Sequence, residues 1–269
     1  MKKYILNFLT MLLLALWLFP LFWLVVTSLK TEQDVMSDVL TLIPLHPTLV
    51  NYQKAFLSTD IFRWLLNSFI VSVSVTAGTL FLDVPIAYAL ARIRFKGRRI
   101  VFWTVMAAMM IPFQVLIIPL YMQFNAYGIL DSLAAVLLPR LALPIGVFII
   151  KQFYEGIPYA LEEAAFIDGA SRFTTFIHVM LPVGKAAMIT TVIISFINAW
   201  NDFLWPLIAV SESAKYTITV GIANFQGTHG TEYAMIMAGA LIASIPQFVF
   251  YALFRKQIVA GLVMTGIKG

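Results

Sequence analysis

The sequence predicts an all-α fold, a polytopic membrane bundle of six transmembrane helices. Hydrophobic residues make up 61% of the 269 residues and charged residues only 12%, and the mean hydropathy is +0.90. A soluble protein of this size needs more polar surface than these residues can supply. Several apolar stretches reach the roughly 20 residues that cross a bilayer as a helix, and the alternating pattern of a membrane β-barrel is missing.

Six apolar segments can be marked along the chain. They lie at about 4–29, 67–91, 100–124, 133–152, 187–210 and 233–254. The first is longer than the core of a signal peptide and lacks a small-x-small cleavage site, so we expect a retained anchor. No internal repeat or low-complexity segment divides the chain. The prediction is therefore a single transmembrane domain over residues 1–269.

The positions of the basic residues predict the orientation. With six spans and a cytoplasmic amino terminus, thirteen Lys and Arg residues fall in inner segments and four in outer segments, as the positive-inside rule requires. The inner set is Lys2, Lys3, Arg92, Arg94, Lys96, Arg98, Arg99, Lys151, Arg172, Lys185, Arg255, Lys256 and Lys268, and the outer set is Lys30, Lys54, Arg63 and Lys215. We expect a multi-pass protein of the bacterial inner membrane with both termini in the cytoplasm. The net charge of +5 reflects this topology and not a nucleic-acid partner.

The inner segment of about 153–186 carries an unusual polar island. Pro158 suits a first helical turn, and residues 159–168 are mostly good helix formers. Gly169 can adopt a positive φ, and Ser171 can cap a second helix. We therefore predict two short helices joined by a sharp bend, either as an ordinary surface turn or as a docking loop.

The acidic residues of this loop would be available to a docking partner. We expect Glu162, Glu163 and Asp168 near the positive end of the first helix or in solvent, where basic groups of a partner can reach them. Small Ala164 and Ala165 allow a partner surface to approach closely.

The spacing of the loop resembles a known signature. Glu163-Ala164-Ala165, three residues, Gly169, nine residues, and Val179-Met180-Leu181-Pro182 resemble the cytoplasmic motif of the membrane subunit of bacterial ABC importers. Val179 stands where the family often has Ile. Segments 88–98, 198–207 and 261–269 also resemble the maltose-type branch of carbohydrate importers. In that branch the second permease has six spans and a short amino terminus, as this chain does.

The resemblance implies a set of partners and roles. The loop would dock an ATPase subunit through Glu162, Glu163, Ala164, Ala165, Asp168 and Gly169. The assembly would contain a second, different permease, two ATPase subunits and an extracytoplasmic solute-binding protein, and it would carry a sugar or oligosaccharide across the lipid bilayer. The sequence has no Gly-x-x-x-x-Gly-Lys-Ser/Thr loop, so we expect no cofactor on this chain and ATP-Mg on the partner ATPase.

A charged residue within the spans needs a partner or water. A guanidinium within the membrane costs about 3 kcal/mol unless it finds an ionic partner or water. Arg140 therefore has the largest unfavourable free energy of insertion among the residues of the spans. At 1.5 Å per residue, Arg140 lies about 10 Å below the outer boundary, Asp202 about 12 Å and Asp83 about 24 Å. Two alternatives remain: Arg140 snorkels outward between Pro139 and Pro144, or it pairs with Asp202.

The fifth span carries the best candidates for substrate contact. Asn198, Trp200, Asn201 and Trp205 combine amides with aromatic faces, which suits the hydroxyls and the apolar ring face of a sugar. The predicted residues of a translocation path are Asn198, Trp200, Asn201, Asp202 and Arg140. The alternative is structural, because Trp often anchors membrane boundaries and Asn often bonds a neighbouring helix.

Two other classes of function have weaker support. A stand-alone ion-coupled secondary transporter or channel often carries acidic residues near the midplane, where only Asp83 fits. A membrane enzyme needs a nucleophile, a metal cluster or an acid–base pair, and no such set stands out, so we predict no catalytic residues. His46, His178 and His229 show no ligand spacing and cysteine is absent, so we predict no metal site.

Overall fold

The fold is a helical bundle. The computed structural model describes residues 2–39, 41–227 and 230–266, so His229 and the end of the 261–269 segment lie outside the described residues. The strands in this part of the chain are β1 (Gln226–Gly227) and β2 (Gly230–Thr231), which pair antiparallel. The all-α prediction is confirmed.

The helices fall into two halves of the chain. The first half holds α1 (Lys2–Ser28), α2 (Glu32–Val35), α3 (Val50–Ser58), α4 (Ile61–Arg92), α5 (Arg98–Met109), α6 (Phe113–Ala126) and α7 (Leu133–Leu137), followed by a 3-10 turn (Leu138–Arg140). The second half holds α8 (Pro144–Glu155), α9 (Ala160–Ile167), α10 (Arg172–Thr175), a π turn (Phe176–Met180), α11 (Leu181–Val183), α12 (Lys185–Trp200), α13 (Leu204–Ala209), a 3-10 turn (Ser213–Lys215), α14 (Ile218–Ala223) and α15 (Tyr233–Gly266).

The described residues contain four to six segments that can cross a membrane. Four are long and apolar enough alone: Lys3–Ser28, Ile61–Arg92, Leu133–Glu155 and Tyr233–Gln257. Two bent pairs also qualify: Arg98–Met109 with Phe113–Ala126, at 95°, and Arg172–Val183 with Lys185–Trp200, at 72°. Counting each bent pair as one span gives six.

Two predicted spans are interrupted. The segment predicted at 100–124 bends between α5 and α6, where Pro112 is the N-cap of α6 and has no N–H to continue the ladder of α5. The segment predicted at 187–210 is α12 and α13, separated by residues 201–203. Hydropathy averaged over a whole span does not reveal such breaks, because each interrupted segment stays apolar on average.

A third break lies within the 133–152 segment. The chain leaves the 3-10 turn at Arg140 and begins α8 at Pro144. Proline disfavours the α conformation in the residue before it, and Leu143 is extended, with φ −123° and ψ 97°. The break at 141–143 therefore follows from the sequence. It leaves Arg140 at a helix end, close to the break at 201–203.

Helix α4 is the centre of the bundle. It packs along α8 and α12 and also contacts α7 and α14, whereas α1 lies outside and packs on α15. The contact between α4 and α14 is close, because Gly221 lies against the ring of Trp64. Trp205 of α13 is fully buried, and its indole N–H donates to Ala135 O at 2.9 Å. These contacts fix the broken spans on either side of α4.

The outer loops are tied together by Asp131. This residue has a positive φ of 57°, and its carboxylate accepts the backbone N–H groups of Glu212 and Ser211, each at 3.0 Å. Lys215 forms an ion pair with the same carboxylate at 3.0 Å. The hydrogen bond from Glu212, followed by that from Ser211, lowers the pKa of Asp131 to about 2, so the carboxylate is charged at neutral pH.

Candidate functional site

The inner loop forms a helical elbow, as predicted. Helix α9 is followed by Gly169 at φ +81°, and the predicted left-handed position is confirmed. Gly169 N donates to Phe166 O at 3.1 Å and Ala170 N donates to Ala165 O at 2.9 Å, which closes the end of α9. Ser171 caps α10, because its hydroxyl accepts from Thr174 N at 3.1 Å. We call residues 160–175 the elbow.

The side of the elbow that faces away from the bundle is exposed. Glu163, Ala164, Asp168 and Gly169 are exposed, and Ala165 is half-buried. Ala164 and Asp168 are four residues apart and share one side of the turn. A Cβ placed on Gly169 would meet nothing within 4 Å, so the glycine answers a backbone need and not a crowded contact. This surface is small and acidic, and most of it is exposed.

Glu162 differs from the expectation that it faces solvent or a partner. It is only 2% exposed. Its Oε1 lies 2.9 Å from Arg92 Nε, and its Oε2 accepts from the Tyr88 hydroxyl at 3.2 Å. The Arg92 guanidinium, which is also buried, donates to Ile157 O at 2.5 Å. Successive helix residues point about 100° apart, so Glu162 faces inward while Glu163 faces outward.

The second polar region lies where two spans are broken. The Arg140 guanidinium and the Asp202 carboxylate meet there, with Nη2 to Oδ2 at 2.8 Å and Nε to Oδ2 at 2.9 Å. The Arg140 guanidinium also lies 3.6 Å from the centroid of the Phe113 ring. Of the two alternatives left open by the sequence, the structure shows the pair. The pair joins the end of the 3-10 turn to the break after α12.

The pair lines a cavity of about 330 Å³. Asn198 and Asn201 contribute amides, Ser195 contributes a hydroxyl, and Val75 of α4 forms part of the wall. The structure therefore brings together four of the five predicted path residues. The remaining lining residues are Leu143 and Ala199.

Trp200 differs from its predicted role. It is 2% exposed, its ring stacks on Phe196 with centroids 5.9 Å apart, and its Nε1 donates to Ala243 O at 3.2 Å. These contacts fit the structural alternative, a core residue between α12 and α15. Trp200 and Asn201 also line a second groove, of about 430 Å³, between α12, α14 and α15.

Sequence reasoning missed several polar partners. Gln247 of α15 donates to Asn201 Oδ1 at 2.6 Å, and Thr219 donates its hydroxyl to Asp202 O at 2.7 Å. A polar Gln in an apolar span was a signal that the sequence did offer. Asp83 is fully buried and accepts from Leu143 N at 3.4 Å, so it lies at the start of α8 and not beside Arg140.

Comparison with known protein families gives a match over more than half of the chain. Residues 83–259 match the family described as the binding-protein-dependent transport system inner membrane component. The chain belongs to this family. It is thus the membrane-spanning permease of a transport system that uses a binding protein, and a stand-alone secondary transporter or channel is not favoured. The matched region includes the elbow and the breaks at residues 141–143 and 201–203.

Individual relatives match the permease along nearly its whole length. The arabinooligosaccharides transport system permease protein AraQ of Bacillus subtilis (strain 168) is 34% identical over 96% of this chain and 93% of its own length. The sulfoquinovosyl glycerol transport system permease protein SmoH of Agrobacterium fabrum is 36% identical over 94% and 89%. The trehalose/maltose transport system permease protein MalG of Thermococcus litoralis is 32% identical over 100% and 98%.

A solved structure shows the same fold. It is a bacterial ABC transporter involved in the import of the acidic polysaccharide alginate, and one of its chains superposes with a TM-score of 0.79 over 95% of this permease and 97% of that chain. The two sequences are 21% identical, so this similarity shows the fold alone. The predicted fold, a polytopic membrane helix bundle, is confirmed.

Proposed function

We propose that this permease forms half of the translocation path of an ATP-driven importer for a sugar or oligosaccharide. The observation that carries the proposal is the similarity over nearly the full chain to permeases named for arabinooligosaccharides, sulfoquinovosyl glycerol, and trehalose and maltose. These solutes share a glycosyl unit, although they differ in size and charge. We therefore expect the substrate of this permease to contain a glycosyl ring as well.

The proposed assembly supplies the energy from outside this chain. A second, different permease completes the path, two ATPase subunits bind ATP-Mg, and an extracytoplasmic binding protein delivers the solute. The chain itself binds no nucleotide and performs no hydrolysis. The elbow lies on the cytoplasmic side in the orientation given by the basic residues, with both termini there as well.

The proposed docking surface is the exposed side of the elbow. Glu163, Ala164, Ala165, Asp168 and Gly169 form a small acidic surface that a cleft with basic groups can enclose. A bundle changes its equilibrium between inward and outward states only if a partner binds the two states with different affinity. An ATPase that grips the elbow in one nucleotide state meets this requirement.

The proposed path runs past the cavity at the broken spans. Asn198 and Asn201 are exposed amides at membrane depth, and such groups avoid lipid when a wetter surface is present. The cavity of about 330 Å³ that they share with the Arg140–Asp202 pair has room for one sugar ring. We expect substrate hydroxyls to meet these amides during passage.

Reconstitution tests the import function. The permease is purified with its partner permease and ATPase subunits, placed in liposomes, and supplied with its binding protein and a radiolabelled sugar from a panel of trehalose, maltose and arabinooligosaccharides. We expect ATP-dependent uptake of at least one of them. Uptake that persists without the ATPase and follows an ion gradient would overturn the proposal.

Charge substitutions test the docking surface. Glu163→Lys combined with Ala164→Lys should release the ATPase, because bulky cations replace a small acidic contact. Gln152→Lys is the matched control, since it adds a cation at an exposed position of α8 outside the elbow. ATPase copurification measures the effect. Retention of the ATPase by the double variant would place the docking surface elsewhere.

A further inference from the structure

Two adjacent acidic residues of the elbow have different environments. Glu163 is exposed, whereas Glu162 is 2% exposed and its carboxylate is held by groups of α4. A buried carboxylate is retained only where it is paired and hydrogen-bonded. Glu162 therefore cannot be part of the surface that a partner touches. Its contacts run inward, into the transmembrane bundle.

The groups that hold Glu162 lie on the last turns of α4. Tyr88 and Arg92 are four residues apart, so both project from the same side of that helix. The Arg92 guanidinium lies 2.9 Å from Glu162 and donates to Ile157 O, so it holds α9 and also the chain that enters α9. The elbow is thus attached to α4 by a charged contact at its first turn.

The surroundings of this contact are packed and apolar. The Tyr88 ring lies 4.8 Å from the ring of Phe176 in the π turn and 6.0 Å from the ring of Tyr154 in α8. The ion pair is therefore enclosed, and water does not weaken it as it weakens a surface pair.

We infer that Glu162 and Arg92 form the mechanical link through which displacement of the elbow reaches α4. This inference rests on the proposed docking of an ATPase at the elbow. Glu163 and its exposed neighbours bind the partner, and Glu162 passes the movement on as a positioning residue. Helix α4 packs along α8 and α12 and contributes Val75 to the polar cavity, so its displacement alters the walls of that cavity.

The test measures how α4 responds to nucleotide and needs no knowledge of the sugar. The chain contains no cysteine, so Val75→Cys places a single thiol of this subunit on the cavity wall. The full transporter carrying this variant is treated with ATP and vanadate, and the rate of labelling by a water-soluble maleimide is measured on this subunit. We expect nucleotide to change the labelling rate.

Removal of the link should abolish that change without releasing the ATPase. In Glu162→Gln, the ATPase should still copurify, while the nucleotide-dependent change in labelling should fall by about fivefold or more, the range typical of lost coupling between sites. Glu162→Arg combined with Arg92→Glu should recover part of the response. Glu232→Gln is the matched control, because it removes a carboxylate from the exposed pair with Lys54, far from the elbow.

The outcomes separate the link from the docking surface. An unchanged nucleotide response in Glu162→Gln would overturn the link, and so would loss of the ATPase in that variant, since Glu162 would then be a docking residue. If Glu162→Gln does not assemble with the partner permease, Arg92→Gln carries the test by removing the other charge of the pair, and a response equal to that of the parent would overturn the link. Failure of the parent to retain any ATPase would overturn the proposed function itself.

Discussion

The Arg140–Asp202 pair should contribute measurably to stability. Asp202→Ala leaves the Arg140 guanidinium without its carboxylate in an interrupted span. Breaking a fully buried pair costs about 3–5 kcal/mol and breaking an exposed one about 0.2–1 kcal/mol. The two side chains are 31% and 11% exposed, so we expect about 2–3 kcal/mol, which lies between these limits.

Thermal unfolding of the purified permease is the assay. For a chain of this size, about 2–3 kcal/mol corresponds to a fall in Tm of about 4–12 °C. Arg140→Ala combined with Asp202→Ala should recover part of the loss, because no unpaired charge remains. Glu232→Ala is the control: its pair with Lys54 is 3.1 Å long but both side chains are more than 40% exposed, so the change should stay below about 1 kcal/mol.

The double-mutant cycle decides whether the pair matters. Strictly additive effects, with a coupling energy within about 0.5 kcal/mol of zero, would show that the two charges do not depend on each other. The aromatic contact must be considered in this comparison, since the guanidinium lies 3.6 Å from the Phe113 centroid and we expect it to keep this contact after Asp202 is removed. A cation–π contact contributes about 0.5–2 kcal/mol, so the Asp202 variant should still fold.

Three further changes test other parts of the fold. Gly169→Pro should uncouple ATP hydrolysis from transport with the ATPase still bound, because proline cannot adopt φ +81°; a wild-type uptake rate would contradict this. Gly221→Ala should destabilise the bundle by about 1–3 kcal/mol, because its methyl group would overlap the Trp64 ring, and an unchanged Tm would refute the close contact. The pKa of Asp131 is about 2, below its ordinary value, so the stability it adds is complete above pH ~4 and lost as pH falls towards ~2. The Tm difference between wild type and Asp131→Asn should shrink over that range; a constant difference would refute the argument.

Hydropathy was sufficient to predict the helical membrane fold but not the continuity of its spans. The segment predicted at 100–124 is bent by 95°, and that at 187–210 is interrupted after Trp200. Proline marks the first break, yet a proline in an apolar segment is also compatible with a mild kink. The bend angle depends on packing against other helices, and a single sequence carries no direct signal for it. The extent of the transmembrane domain, 1–269, stays a prediction.

The site residues show the same division between local and distant information. Gly169 and Ser171 took their predicted conformations, because a positive φ and an N-cap depend on neighbouring residues. The burial of Glu162 depends on Arg92, seventy positions earlier, which the sequence offered only as one of many cytoplasmic cations. The Arg140–Asp202 pair could be predicted as one of two alternatives only because the depth of a residue in the membrane restricts which residues it can meet. Their roles in docking and transport stay predictions.

Two buried or partly buried ion pairs hold the same group of helices at different levels. Arg92–Glu162 joins the elbow to the inner end of α4, and Arg140–Asp202 joins the broken ends beside α8 and α12. Breaks in helices ordinarily add flexibility, so displacement of α4 could be absorbed at residues 141–143 and 201–203. An ion pair between the two breaks opposes this, because bending either one separates charges within the membrane. We therefore expect α4, α8 and α12 to move together when the elbow moves, and the cavity wall to shift as one unit with them.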